Sequence, residues 1–165
     1  MRINEDIFQD IYNLYFYDIS RFLGRFTSDS ALIEDIIQEV FITLWTEREV
    51  TDIEHIKTYL YISARNRVLN YLRDERRRNE LLSIWSENEL AFRKDNQEEE
   101  NTYEILLQKA INNLPNKCRE IYMLSRVDQL TYKEISSVLL ISVKTVEAQM
   151  GIALKKIRSQ LSKQT

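Results

Sequence analysis

The chain has 165 residues, 44% of them hydrophobic, with 23 Lys and Arg against 26 Asp and Glu and a formal charge of −3; such a composition fills a core and excludes wholesale disorder. Two Gly, one Pro, the single Cys118 and the single His55 exclude an internal disulfide and a His/Cys metal site, and point to short loops between helices in a reducing, cytoplasmic setting. No apolar run approaches the roughly 18 residues of a membrane span, and the opening MRINEDIFQD lacks the basic start of a secretory signal, so no membrane insertion of its own is expected.

In chain order, residues 5–26 are amphipathic, with Ile7, Ile11, Leu14, Ile19, Phe22 and Phe26 near one face. TSDS at 27–30 supplies a break and a helix cap. The second helix carries Leu32/Ile33, Ile36/Ile37, Val40/Phe41 and Leu44/Trp45, apolar pairs that repeat every four residues and form a broad buried face. A polar segment at 47–55 leads to a third helix from about Ile56 to Arg78, with Leu60, Ala64, Val68 and Leu72 toward the core. SENELAFRKDNQEEEN at 86–101 is polar and acidic, and reads as a linker between a domain of residues 1–85 and a second of 102–165. A helix from Thr102 ends near Leu114–Pro115, and another runs from about Asn116 to Val127, where Cys118 reads as a small apolar packing residue. The expected fold is all-α, with two small helical domains joined by an acidic linker.

Residues 131–158, TYKEISSVLLISVKTVEAQMGIALKKIR, have the form of a helix-turn-helix in the C-terminal domain. Thr131 and Glu134 match a capping box, and Ile135, Val138 and Leu139 give the first helix an apolar face. Leu140 and Ile141 make a tight connection, and Ser142 caps a second helix with Val146, Met150, Leu154, Ile157 and Leu161 at helical spacing. That helix would present Lys144, Thr145, Glu147, Ala148, Gly151 and Ile152 outward. A plain helical hairpin inside a bundle has the same pattern. Leu140 sits where such turns often place Gly, and a left-handed conformation costs a Leu roughly 1–2 kcal/mol. Gly151 inside the second helix costs about 1 kcal/mol relative to Ala, and would allow close backbone approach to DNA or to another helix.

Two further constellations stand out. Asp35, Gln38 and Glu39 share one stripe opposite the apolar face, together with Glu34 and Thr46; an ordinary solvated face has the same form. Acid–base or di-metal chemistry has no support, since there is no His partner, no Glu-x-x-His helix and no Gly-rich phosphate loop. No catalysis and no cofactor are expected. In YISARNRVLNYLRDERRR at 61–78, Arg65, Asn66, Arg67, Asn70, Arg73 and Arg77 stand among Tyr59, Tyr61 and Tyr71. Arg binds phosphate, Asn hydrogen-bonds base edges and aromatic rings stack on bases. Offset of the helix macrodipole accounts for Arg76 to Arg78 but not for Asn66 and Asn70, which are mediocre helix formers. Charge is unevenly spread: −7 over residues 1–64, +4 over 65–78, −4 over 87–100 and +4 over 130–165. The two basic stretches fit phosphate, and the acidic start fits a basic partner.

Taken together, the chain resembles the extracytoplasmic-function (ECF) sigma factors of bacterial RNA polymerase. DIIQEVFITLW at 35–45 is similar to the family's D-x-x-Q-E-x-F-x-x-x-W/Y core-polymerase helix. YLYISARNRVLNYLR at 59–73 is similar to its W-L-Y-x-I-A-x-N-x-x-x-D/N-Y-L-R helix. LPNKCREIYMLSRVDQLTYKEISSVLLISVKTVE at 114–147 resembles its L-P-x-x-x-R-x-V/I-F segment and helix-turn-helix. The likeness covers roughly residues 8–161, with the three motifs in the family's order.

The resemblance implies roles. Asp35, Gln38, Glu39 and Thr46 would meet the basic clamp coiled coil of the polymerase's largest subunit. Arg65, Asn66, Arg67, Asn70, Arg73 and Arg77 would engage the promoter −10 element. Residues around 48–57 correspond to the loop that captures a flipped base of the melted strand, with His55, Lys57 and Tyr59 as candidates. The −35 element would be met by Ser142, Lys144, Thr145, Glu147, Ala148, Gln149, Gly151 and Ile152, with Lys155, Lys156 and Arg158 on phosphates. The linker would run toward the RNA exit path, and an anti-sigma factor is an implied partner. The chain departs from the family where Glu147, Ala148 and Ile152 stand in place of frequent Arg or Lys. Readout by Arg is thereby limited, which leaves Lys144, Thr145, Gln149, backbone amides at Ser142 and DNA shape. Two other readings of the same residues are a helix-turn-helix regulator that binds duplex DNA without polymerase, and a protein-interaction module that binds no DNA.

Overall fold

The computed structural model describes residues 2–82 and 102–163, without the side chains of Ile53 and Leu82. The expected linker at 86–101 lies outside the described residues. Among them the regular structure is seven α-helices and one 3₁₀ turn, with no strand, so the chain is all-α. It divides into two compact units, Met1–Ser86 and Glu87–Thr165.

The first unit holds α1 (Glu5–Leu23), α2 (Ser30–Thr46) and α3 (Ile56–Leu82). Asn4 caps α1 by accepting from the Ile7 amide at 2.8 Å, and Asp29, inside the expected break, caps α2 by accepting from Ala31 at 3.1 Å and Leu32 at 3.2 Å. Each of the three helices packs on the other two. The apolar pairs of α2 supply much of the core: Leu32, Ile36, Ile37, Val40, Phe41 and Leu44 are buried. Phe8 and Tyr12 of α1 meet Phe41 edge-on, and Phe8 also meets Trp45, at centroid distances of 4.9–6.2 Å.

Three expectations are revised in this unit. Leu14 is 66% exposed while Leu23 is fully buried. At 3.6 residues per turn the stripe through Ile11, Ile19, Phe22 and Leu23 leaves Leu14 to one side. Tyr61 is not a base-stacking residue, because it is fully buried with its ring edge-on to Phe22 at 5.0 Å. Helix α3 continues to Leu82 rather than ending at Arg78, since no Gly or Pro follows to stop it.

The second unit holds α4 (Thr102–Asn112), α5 (Asn116–Arg126), α6 (Tyr132–Leu139) and α7 (Val143–Ser162). Arg119 of α5 donates to the carbonyls of Asn112 and Leu114, both at 2.9 Å, and so satisfies backbone groups at the end of α4. Helix α7 is the hub, packing on α4, α5 and α6. Its buried residues are Val146, Met150, Ala153 and Ile157. Leu154 and Leu161, expected in that row, are only half-buried. The 4-3-4 spacing of that row takes in Ala153, which is buried in one cluster with Ala110, Ile111, Leu114 and Cys118, and leaves Leu154 and Leu161 on the flank. Cys118 is buried, as expected of a packing residue, and its thiol lies 3.5 Å from the Gln149 carbonyl, with burial pushing its pKa up.

Candidate nucleic-acid interface

The C-terminal pair is built as its residues dictate. The capping box at Thr131 forms in both directions: Thr131 N–H donates to Glu134 Oε1 at 2.9 Å, and Glu134 N–H donates to Thr131 Oγ1 at 3.1 Å. Helix α6 ends at Leu140, which adopts the left-handed conformation (φ 55°, ψ 46°) and is 90% exposed. Ser136 ties the turn by donating its hydroxyl to the Ile141 carbonyl at 2.7 Å and accepting the Ile141 amide on its own carbonyl at 3.2 Å. Ser142 Oγ then accepts from the Thr145 amide at 3.1 Å and opens α7. The chain bends by 108° between α6 and α7, within the range of a helix-turn-helix.

On α7, Lys144, Glu147, Ala148, Gly151, Ile152, Lys155, Lys156 and Arg158 are exposed. Thr145 and Gln149 are half-buried, and the Thr145 hydroxyl lies 2.9 Å from Ser142 Oγ, so Thr145 serves the cap together with Ser142. A Cβ added at Gly151 would meet nothing within 4 Å. Close approach to another helix of the unit is therefore not the reason for that glycine.

On α3, Asn66, Asn70, Arg73 and Arg77 are exposed, and their 4-3-4 spacing sets them along one face. Arg65 and Arg67 are half-buried at the edges of that face. Arg67 reaches across to α2, donating to Thr43 Oγ1 at 2.7 Å and pairing with Glu39 Oε2 at 3.1 Å. Two residues assigned by resemblance to different partners are thus bound to each other in the free chain. The 47–55 segment folds as turns and a 3₁₀ turn over Ile53–His55 that runs directly into α3. Tyr59 OH donates to Glu47 Oε2 at 3.0 Å; burial first, then the Glu47 bond, push its pKa up to about 12. His55 is exposed and lies 3.9 Å from Asp52, and Lys57 is half-buried. With Glu54, Asp52 and His55 bring potential ligand atoms within 4.8 Å, but all three are exposed, so hydrated carboxylates in a loop account for them.

On α2, Asp35, Gln38, Glu39 and Thr46 are exposed as expected, and between them stands Ile42, 64% exposed. Ile42 carries no charge and so escapes a pattern defined by charged and amide side chains. Its spacing of four from both Gln38 and Thr46 was the available signal. Thr46 spends its hydroxyl proton on the Ile42 carbonyl at 2.9 Å. Arg48 closes the helix end, donating to the Trp45 carbonyl at 2.7 Å and stacking 4.1 Å from the Trp45 ring centroid.

The sigma-70 region 2 family profile matches residues 5–78, and the sigma-70 region 4 profile matches residues 104–162. The chain is an extracytoplasmic-function sigma factor of the sigma-70 family. It is 28% identical over 156 residues to the ECF RNA polymerase sigma factor SigM of Bacillus subtilis, covering 92% of this chain and 91% of that one. The ferric citrate uptake sigma factor FecI of Escherichia coli is 23% identical over 151 residues, covering 90% of this chain and 87% of FecI. Among solved structures, the fold is similar to that of the sigma factor RpoE in complex with the anti-sigma factor NepR from Bartonella quintana. That likeness has a TM-score of 0.70 at 17% identity, over 94% of this chain and 96% of RpoE. CnrH in complex with the cytosolic domain of CnrY is also similar, with a TM-score of 0.63 at 18% identity over 98% and 92% of the chains. The sigma factor directs promoter-specific transcription. Among the described residues no single helix is long and apolar enough to cross a membrane.

Proposed function

We propose that this sigma factor binds core RNA polymerase through the α2 face, with Asp35, Gln38, Glu39 and Thr46 around Ile42, and meets promoter DNA with α3 and α7. An acidic stripe around one apolar side chain suits a basic coiled coil. The carboxylates steer and orient, and Ile42 supplies the desolvated anchor. On α3, Arg73 and Arg77 neutralise phosphates of the −10 element while Asn66 and Asn70 hydrogen-bond exposed base edges. The 47–57 segment, with His55, Lys57 and Tyr59, lies N-terminal to that face and receives an unpaired base. On α7, the outward face enters the −35 major groove, with Lys155, Lys156 and Arg158 on phosphates.

The chain has no catalytic group of its own in this scheme and acts in the cytoplasm, where polymerase and chromosome are. An anti-sigma factor is the expected regulator, in keeping with the complexes of RpoE with NepR and of CnrH with CnrY. The observation that carries the reading is the exposed Asp35–Gln38–Glu39–Ile42–Thr46 stripe on a helix whose other face is buried. The test is co-elution with purified core polymerase, wild type beside the Asp35→Ala/Gln38→Ala/Glu39→Ala variant. A stable complex that the folded triple variant cannot form supports the assignment. Equal binding by both proteins would remove α2 from the polymerase contact.

A further inference from the structure

The outward face of α7 is unusual in having no arginine where it would meet base edges. Lys144, Ala148, Gly151, Ile152 and Lys155 follow the 4-3-1-3 spacing of one helical face, and all are exposed, with Ile152 at 42%. The two lysines bracket an apolar centre of Ala148, Gly151 and Ile152. Nothing in the unit requires that centre. The buried side of α7 is Val146, Met150, Ala153 and Ile157, and Gly151 faces open space. A glycine inside a helix lowers stability by about 1 kcal/mol relative to Ala. Its use at a position with no neighbour is explained by something that approaches the helix backbone from outside.

We infer that α7 reads thymine methyl groups in the −35 major groove through Ala148 and Ile152, with Gly151 allowing the helix axis to lie close to the base edges. This deepens the proposed function and rests on it. Four base edges differ in the major groove, and only thymine offers an apolar one, its C5-methyl group. Guanine is matched by Arg or Lys, adenine by Asn or Gln; the apolar centre offers neither. Ala148 and Ile152 are separated by about 6 Å along the axis, close to two base-pair steps of 3.4 Å. Charge complementarity identifies DNA as the occupant. The face is flanked by Lys144 and Lys155, in a segment, 130–165, with a balance of +4. Glu147 is also exposed beside this face, so its surround is two lysines against one carboxylate; the cationic balance favours phosphate around the methyls and disfavours a basic protein helix.

The experiment uses the whole chain bound to core polymerase. Holoenzyme first selects duplexes from a library randomised across the upstream element. The selected sequence is then made with thymine or with deoxyuridine, which differs only in lacking the methyl group. Each contacted methyl lost should weaken binding about threefold to fivefold. Ile152→Ala should bind the thymine duplex more weakly and cease to distinguish the two for one of the positions. Gly151→Ala should raise thermal stability and yet weaken promoter binding. Equal affinity for thymine and deoxyuridine duplexes, with the upstream element still selected, would overturn the inference while leaving the proposed function standing. Selection of no upstream element by a holoenzyme that has formed would overturn both. If Ile152→Ala kept full discrimination but lost a protein partner, the face would belong to that partner.

Discussion

Leu140 carries two unfavourable features at once: a left-handed backbone and a side chain 90% exposed. The conformation is imposed by the sharp exit from α6, where Ser136 holds both polar groups of Ile141. Replacement by Gly removes a backbone penalty of roughly 1–2 kcal/mol and adds unfolded-state freedom of about 0.5–1 kcal/mol. Leu140→Gly should therefore stabilise the protein by up to about 1 kcal/mol in urea denaturation; a clear loss of stability would mean that Leu140 makes a contact absent from the described fold. Tyr59 is a second residue with a measurable signature. Its folded pKa of about 12 lies above the ordinary 10.0, so the folded state holds the proton more tightly. The resulting stability is fully present below pH 10 and is lost as pH rises toward 12. Tyr59→Phe should flatten the decline of stability over that window, measured by denaturation at several alkaline pH values, and an unchanged slope would mean that burial and the Glu47 bond do not raise the Tyr59 pKa. At this scale the sequence was only partly legible. Tyr59, Tyr61 and Tyr71 look alike on paper, yet Tyr61 is core, Tyr59 is half-buried on Glu47 and Tyr71 is 42% exposed. Three-dimensional neighbours such as Phe22 decide between them, and no local pattern encodes those.

The elements themselves were largely readable, because their ends are written in short-range chemistry. Thr131 with Glu134, Ser142 and Asp29 each cap the helix that their position announces. Thr131→Ala should cost about 1 kcal/mol, within a range of roughly 0.5–2 kcal/mol, and loosen α6 without unfolding the first unit. Hydrogen exchange resolves the two units separately, and uniform loss of protection across both would contradict this. What the sequence did not disclose was register inside the core. Ala153 is buried where Leu154 was expected, because the helical row fixes the position whatever its size, while a reading by apolar bulk favours the leucine beside it. Nor did it disclose the Arg67–Glu39 pair, 28 residues apart between α2 and α3. With side chains 32% and 59% exposed, that pair contributes little on its own, and a double-mutant cycle should give coupling of at most about 1 kcal/mol that fades with added salt. A coupling of several kcal/mol, insensitive to salt, would show the pair to be far better desolvated than its exposure indicates.

For the whole molecule, the net charge of −3 conceals an uneven spread: acid on the start of the chain, proposed to meet polymerase, and base on the two surfaces proposed to meet DNA. Three motifs in order make the family legible from the sequence alone, while any base preference of α7 is not, since its outward residues depart from the family's cationic pattern. Phosphate contacts by Arg73 and Arg77 should appear as salt dependence. Each Arg→Ala change should lower the slope of log affinity against log salt by about 0.9 if the contact is to duplex DNA, and by about 0.7 if it is to a melted strand. The direct test of the central claim is run-off transcription of fragmented genomic DNA by core polymerase with and without this chain. The account predicts new transcripts whose start sites share two upstream sequence blocks at fixed spacing, and which disappear with the Asp35→Ala/Gln38→Ala/Glu39→Ala variant. A chain that forms a complex with core polymerase yet yields no start sites beyond those of core polymerase alone would contradict it.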